Sequence, residues 1–178
     1  AGTREQVAIF SEIAQGEGGS LMDWAARPED RNRLWQARHD AYWAAKDLRG
    51  QTDLIATDIC VPISALAGCV SETKQDIEEL GLVAPIVGHV GDGNFHVMPL
   101  IDPQSTDELA RAREFLDRLV ERALRYEGTC TGEHGVGQGK IDYLIAEHGE
   151  AVDVMIATKK ALDPLNILNP GKIFAEVM

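Results

Sequence analysis

The nine residues Gly88–His96, GHVGDGNFH, restrict this chain more than any other stretch. Asp92-Gly93 is a turn pair of the kind that closes a tight β-hairpin, because both central positions of such a turn need φ > 0. Counting outward sets Gly91 against Asn94, Val90 against Phe95 and His89 against His96. The two histidines are then expected as a directly opposed cross-strand pair, with Cβ atoms ~5 Å apart. Val90, Phe95 and Val97 fall on the other face and suit a core. One face of the hairpin is expected to be buried, and the other to carry two imidazoles placed to hold a metal ion. The plainer alternative is two unrelated histidines, each satisfied by hydrogen bonds.

At 178 residues the chain fits one domain or one substantial piece of a larger protein. The formal net charge of -12 argues against nucleic acid and anionic membrane surfaces as partners. No apolar run approaches the ~20 residues of a membrane span. The opening AGTREQVAIF already has a helix pattern, so no secretory leader is expected. The first residue is Ala rather than Met, as at a boundary cut from a longer chain. Cys60, Cys69 and Cys130 form no CxxC pair and are odd in number, which points to reduced thiols and a cytoplasmic setting.

Along the chain, periodicity predicts a helix from about residue 4 to 16, striped by Val7, Ile9, Phe10, Ile13 and Ala14. Ser20 to Ala25 reads as a short strand. Pro28 suits a first helical turn, and the helix it opens runs to about Leu48, with Leu34, Ala37, Ala41, Ala44, Ala45 and Leu48 on one face. Arg38, Tyr42 and Lys46 follow one another at spacings of four and line up along that helix; the alternative is a solvated edge. Asp53 to Val61 reads as a strand, Ile63 to about Gly81 as a helix, and Pro85–Val90 with Asn94–Ile101 as the hairpin arms. Ser105 and Glu108 form a capping box for a helix ending near Gly128. Two further helical stretches, about Ile141 to Glu147 and Glu150 to Leu162, precede an irregular tail to Phe174. The expected fold is α+β: an antiparallel sheet with helices packed on one side, a ferredoxin-like half, followed by C-terminal helices.

Between hairpin and tail lies GTCTGEHGVGQGK, Gly128 to Lys140, with five glycines before its final lysine. It is neither a P-loop nor a GxGxxG fingerprint. It does carry Glu133 and His134. Two imidazoles and one carboxylate suit a divalent zinc, manganese or iron ion, so His89, His96 and Glu133 are the expected ligands. Three protein ligands leave positions open for substrate, as catalytic sites do. The adjacent His134 is the expected general base, since histidine changes protonation near neutral pH. His39 and His148 sit in helical contexts and read as surface residues.

The motifs GHVGDGNFH, TGEHGVG and LNPGKIF, in that order, resemble the C-terminal domain of the FAD-linked oxidases of the vanillyl-alcohol-oxidase superfamily. The most similar branch is the group of D-lactate dehydrogenase, glycolate oxidase flavoprotein subunit and D-2-hydroxyglutarate dehydrogenase. The resemblance runs from about Leu34 to Phe174. It implies that residues 1–178 are a substrate- and metal-binding domain, with the FAD-binding domain of the same parent chain outside this sequence. It implies FAD and a small 2-hydroxy acid as cofactor and substrate, and an electron acceptor of unknown identity; it leaves room for a homodimer. Residue by residue, it sets His89, His96 and Glu133 on the metal ligands and His134 on the group that takes the substrate hydroxyl proton. It sets Arg38 on the arginine that binds the substrate carboxylate, Tyr42 on another substrate-pocket position, and Asn169 in the segment that approaches FAD. Met98 stands where the 2-hydroxyglutarate branch has asparagine, which tilts the expected substrate toward lactate. The alternatives are a self-sufficient metal-dependent hydrolase, against which the absence of an HExxH helix speaks, and a non-catalytic metal-binding module.

Overall fold

The computed structural model describes residues 2–20, 23–50 and 52–175. The chain divides into two compact units, Ala1–Ala44 and Ala45–Met178.

The first unit holds α1 (Gly2–Gly16) and most of α2 (Pro28–Asp47). Both helices form where periodicity placed them, and α2 opens on Pro28, whose missing N–H costs nothing in a first turn. The apolar stripe of α1 is not a core: α1 buries no residue, and Ile9, Phe10 and Ile13 are each more than half exposed. On α2 only Ala45 is buried. Residues 23–25 form no strand; Leu21 and Met22, the middle of the expected one, lie outside the described residues.

The second unit is built on two small antiparallel sheets, with two helices packed against the apolar face of the larger one. The expected strand over Asp53–Val61 forms as two short pieces, β1 (Asp53–Leu54) and β2 (Ile59–Cys60). Helix α3 (Ile63–Glu79) follows, then β3 (Ile86–His89), a 3-10 turn (Val90–Asp92), β4 (Asn94–Val97) and β5 (Leu100–Ile101). Strand β1 pairs with β5, and β4 lies between β2 and β3. One register runs through both sheets, with Leu54 opposite Leu100 and Ile59 opposite Phe95. The ladder weakens between them for a local reason. Pro99 accepts from Ile55 N–H but has no N–H to return, and Val97 N–H turns to the Thr57 hydroxyl at 2.7 Å.

The side chains of Ile59, Val61, Phe95 and Val97 meet Leu66 and Cys69 from α3 and Phe115, Leu119 and Ala123 from α4 (Thr106–Arg125). Val90, expected with Phe95 and Val97 in this core, is 69% exposed because it belongs to the turn rather than to a strand. An ionic seam ties the two helices together. The Arg122 guanidinium, buried, donates to Asp76 and to the Thr73 hydroxyl, and Arg118 reaches Asp76 from the next turn. Helices α5 (Ile141–His148) and α6 (Ala151–Leu162) close the fold. In the tail, Asn166 and Asn169 take left-handed φ of 49°, which asparagine tolerates. Buried Asp163 collects Ile167 N–H, Leu168 N–H and the Lys159 ammonium. Among the described residues no helix is long and apolar enough to cross a membrane.

Ser105 caps α4 by accepting Glu108 N–H, but the expected capping box is half made. The Glu108 carboxylate faces a bidentate Arg49 guanidinium at 2.8 Å and accepts Asp102 N–H. The Arg49 fork, and then the Asp102 N–H, pull its pKa down to about 2. A folded-state pKa below the unfolded value near ~4.3 gives stability that is full above that value and is lost as pH falls toward about 2. Glu108→Gln is therefore expected to flatten the acid limb of a stability-versus-pH curve in that window. An unchanged limb would mean that the ion pair contributes nothing measurable.

Candidate metal and active site

The hairpin forms around a longer turn than its sequence signals. Only Gly93 takes a positive φ, 74°, and it follows the 3-10 turn. A Cβ at Gly93 would lie 2.0 Å from the Val61 carbonyl oxygen, so the close approach demands glycine as much as the φ does. The observed register sets His89 opposite Asn94, Gly88 opposite Phe95 and Val87 opposite His96. The histidines are diagonal neighbours, not a directly opposed pair. The expected register was off by two residues, one full side-chain period, and so it keeps both imidazoles on one face. Their ring centroids are 5.8 Å apart and nearly perpendicular.

The glycine-rich loop reaches this face from the opposite edge. Thr129 pairs with Cys60 on β2, and Glu147 on α5 fixes the start of the loop by accepting Cys130 N–H and the Thr129 hydroxyl. Farther along, Gly137 O accepts Ile173 N–H from the tail. Glu133 then lands on the imidazoles: its Oε1 is 3.1 Å from His96 Nε2 and 3.5 Å from both His89 Nε2 and His134 Nε2. The His134 ring stands 5.4 Å from that of His96, and its side chain is 65% exposed.

The broken ladder orients His96. Val97 N–H has gone to the Thr57 hydroxyl, so the Thr57 carbonyl accepts from His96 Nδ1 instead, at 2.8 Å. A carbonyl only accepts, which puts the proton of the neutral ring on Nδ1 and leaves Nε2 with its lone pair toward Glu133. A lone pair against a carboxylate at 3.1 Å is repulsive, and either a proton on Nε2 or a cation between the two atoms relieves it. Two atoms bound to one tetrahedral ion at ~2.0–2.1 Å lie about 3.3 Å apart, and the spacings here bracket that value. The donor set of His89, His96 and Glu133 therefore fits a divalent metal, and the carbonyl behind His96 is the kind of outer partner such ligands carry. Asn94 Oδ1, directly across from His89, is buried and accepts no hydrogen bond from the described residues.

Sequence reasoning missed Asp58. It is 3% exposed and accepts from Glu133 N–H, His134 N–H, Asn94 Nδ2 and the Thr131 hydroxyl. Burial pushes its pKa up, but the His134 and Glu133 amides, Asn94 and Lys140 outweigh that and hold the carboxyl well below the usual range. Asp58, His96 and His134 also come within 4.8 Å of one another. As a ligand, however, Asp58 would have to shed charge-assisted hydrogen bonds worth ~1.5–3 kcal/mol each. The signal for Asp58 was there: a carboxylate inside the apolar run LIATDICVP must find donors when the strand is buried.

The remaining expected residues are not in this group of four. Arg38 and Tyr42 belong to the first unit; the Arg38 guanidinium lies 5.4 Å from the Trp35 ring centroid, and Tyr42 meets Trp43 edge-on at 5.2 Å. Asn169 is exposed in the tail. Met98 is buried.

Residues 1–173 match the family model described as FAD linked oxidases, C-terminal domain. The chain is 50% identical over 170 residues to a protein named probable D-lactate dehydrogenase, mitochondrial, from Danio rerio, covering 95% of this chain and 34% of that protein. It is 38% identical over 174 residues to the glycolate oxidase subunit GlcD of Bacillus subtilis, covering 97% of this chain and 36% of that one. The chain thus spans about a third of the length of these relatives. A 4-ethylphenol oxidase from Gulosibacter chungangensis, solved as an isoeugenol complex, shares the fold with a TM-score of 0.58 at 17% identity, over 85% of this chain and 32% of that one.

Proposed function

The chain belongs to the family of FAD linked oxidases, as their C-terminal domain, and from that premise we propose that it is the substrate- and metal-binding part of an FAD-dependent D-2-hydroxy acid dehydrogenase of the D-lactate or glycolate type. The observation that carries this reading is the Glu133 carboxylate oxygen lying 3.1–3.5 Å from three imidazole nitrogens.

In this reading His89, His96 and Glu133 would hold a zinc, manganese or iron ion. When bound, the metal supplies Lewis acidity beside the substrate hydroxyl, and FAD supplies the acceptor for the α-carbon hydride. His134 accepts the hydroxyl proton at Nε2, the nitrogen that faces Glu133. On the first unit, Arg38 offers a planar fork matched to a carboxylate and Tyr42 is the second substrate-binding candidate, while Asn169 is the candidate for approaching the flavin. Thr57, through its carbonyl, keeps the His96 ring in the ligand tautomer. The free thiols Cys60, Cys69 and Cys130 suit a reducing compartment.

The test uses the full-length protein, loaded with FAD and analysed for bound metal. Its flavin is expected to bleach on addition of D-lactate or glycolate, to stop doing so after chelation, and to recover with added metal. Bleaching that ignores chelation, in protein that carries no metal, would remove the metal from the reaction.

A further inference from the structure

We propose that Asp58 is a positioning residue: from the residue just before β2 it clasps the backbone of the glycine-rich loop and so aims Glu133 and His134 at the hairpin histidines. This inference rests on the metal reading above. One buried carboxylate takes the Glu133 amide at 3.0 Å and the His134 amide at 2.9 Å, both on Oδ2. Two consecutive amides bound to one oxygen fix the peptide planes on either side of the Glu133 Cα, and with them the direction in which its side chain leaves. The other oxygen holds Asn94 Nδ2 at 2.9 Å, and Asn94 sits on β4 two residues from His96 and opposite His89. The clasp thus joins the strand that carries one imidazole to the loop that carries the carboxylate.

Gly132 makes the fit close. A Cβ there would lie 2.1 Å from Asn94 Nδ2 and 3.0 Å from Asp58 Oδ1, so the loop can press onto the clasp only with glycine at this position. Lys140, at the far end of the loop, donates to the Asp58 carbonyl at 3.2 Å and places its ammonium 3.5 Å from the carboxylate. Asp58 thereby has its charge compensated without spending it on a metal.

The experiment titrates metal-stripped full-length protein with Co²⁺ alone, reading the dissociation constant and the visible d–d bands, with near-UV circular dichroism to report packing. Asp58→Asn keeps the size but offers one acceptor where two were used. It is expected to weaken Co²⁺ binding about 10–100-fold and to alter the d–d bands while the circular dichroism stays native. Native affinity and bands in Asp58→Asn, beside normal binding by the parent, would overturn the clasp and leave the metal reading standing. No Co²⁺ binding by the parent itself would overturn both. If Asp58→Asn does not fold, Gly132→Ala tests the same contact without removing the buried charge. It is expected to weaken Co²⁺ binding about tenfold, and unchanged affinity and bands there would overturn the proposal.

Discussion

Replacing His134 with alanine is expected to slow flavin reduction by a 2-hydroxy acid about 10²–10⁴-fold, the span set by loss of a general base. Metal content and the substrate dissociation constant should change little. The selectivity follows from where His134 touches the structure. Its ring is largely exposed and meets Glu133 and His96 only at the site, while its backbone tie to the fold, the N–H to Asp58, is one that alanine retains. His96→Ala is expected to behave differently. It removes one of the proposed metal ligands and leaves the Thr57 carbonyl without its ring donor, so metal and activity should be lost together. Rapid-reaction kinetics on the full-length protein, with metal analysis of each variant, separates the two. A His134→Ala protein that reduces its flavin at the parental rate would sink the base assignment, and one that loses its metal would make His134 a ligand.

The largest expected effect on stability lies away from the site, in the seam between α3 and α4. Arg122→Ala takes the closest cation from the buried Asp76 carboxylate, while the Thr73 hydroxyl loses one donor and keeps its bond to the Cys69 carbonyl. Removing one partner of a buried ion pair costs roughly 3–5 kcal/mol, because the other charge stays desolvated. Arg118 also reaches Asp76 and softens the loss, so the lower end of that range is expected. Arg122→Leu combined with Asp76→Leu should recover most of it, since a well-packed apolar pair of similar size replaces a buried salt bridge at little net cost. Denaturant titration of the single and double variants gives the coupling. A double variant no more stable than the single would show that the seam contributes by more than charge compensation.

The helices were legible because their signals are local. Pro28 at a first turn, Ser105 at a cap and the apolar spacing of α4 each act within a few residues. The stripe on α1 was legible as a helix but not as a core: periodicity reports the period of a face, not whether anything covers it. The hairpin was legible to within one side-chain period. Asp92-Gly93 marks the reversal, while the longer turn is accompanied by the Gly93–Val61 contact, a long-range packing feature that the local sequence does not signal.

Two histidines on one face of a hairpin, and a carboxylate paired with a further histidine in a glycine-rich loop, were determined by the order of residues alone. Side-chain alternation and chain adjacency are local properties, and they survive a two-residue error in register. Which nitrogen of His96 faces Glu133, and what aims Glu133 at it, only the tertiary structure decided. Both depend on partners far along the chain: a Thr57 carbonyl released by a neighbouring hydroxyl, and an Asp58 carboxylate whose donors come from the loop and from β4.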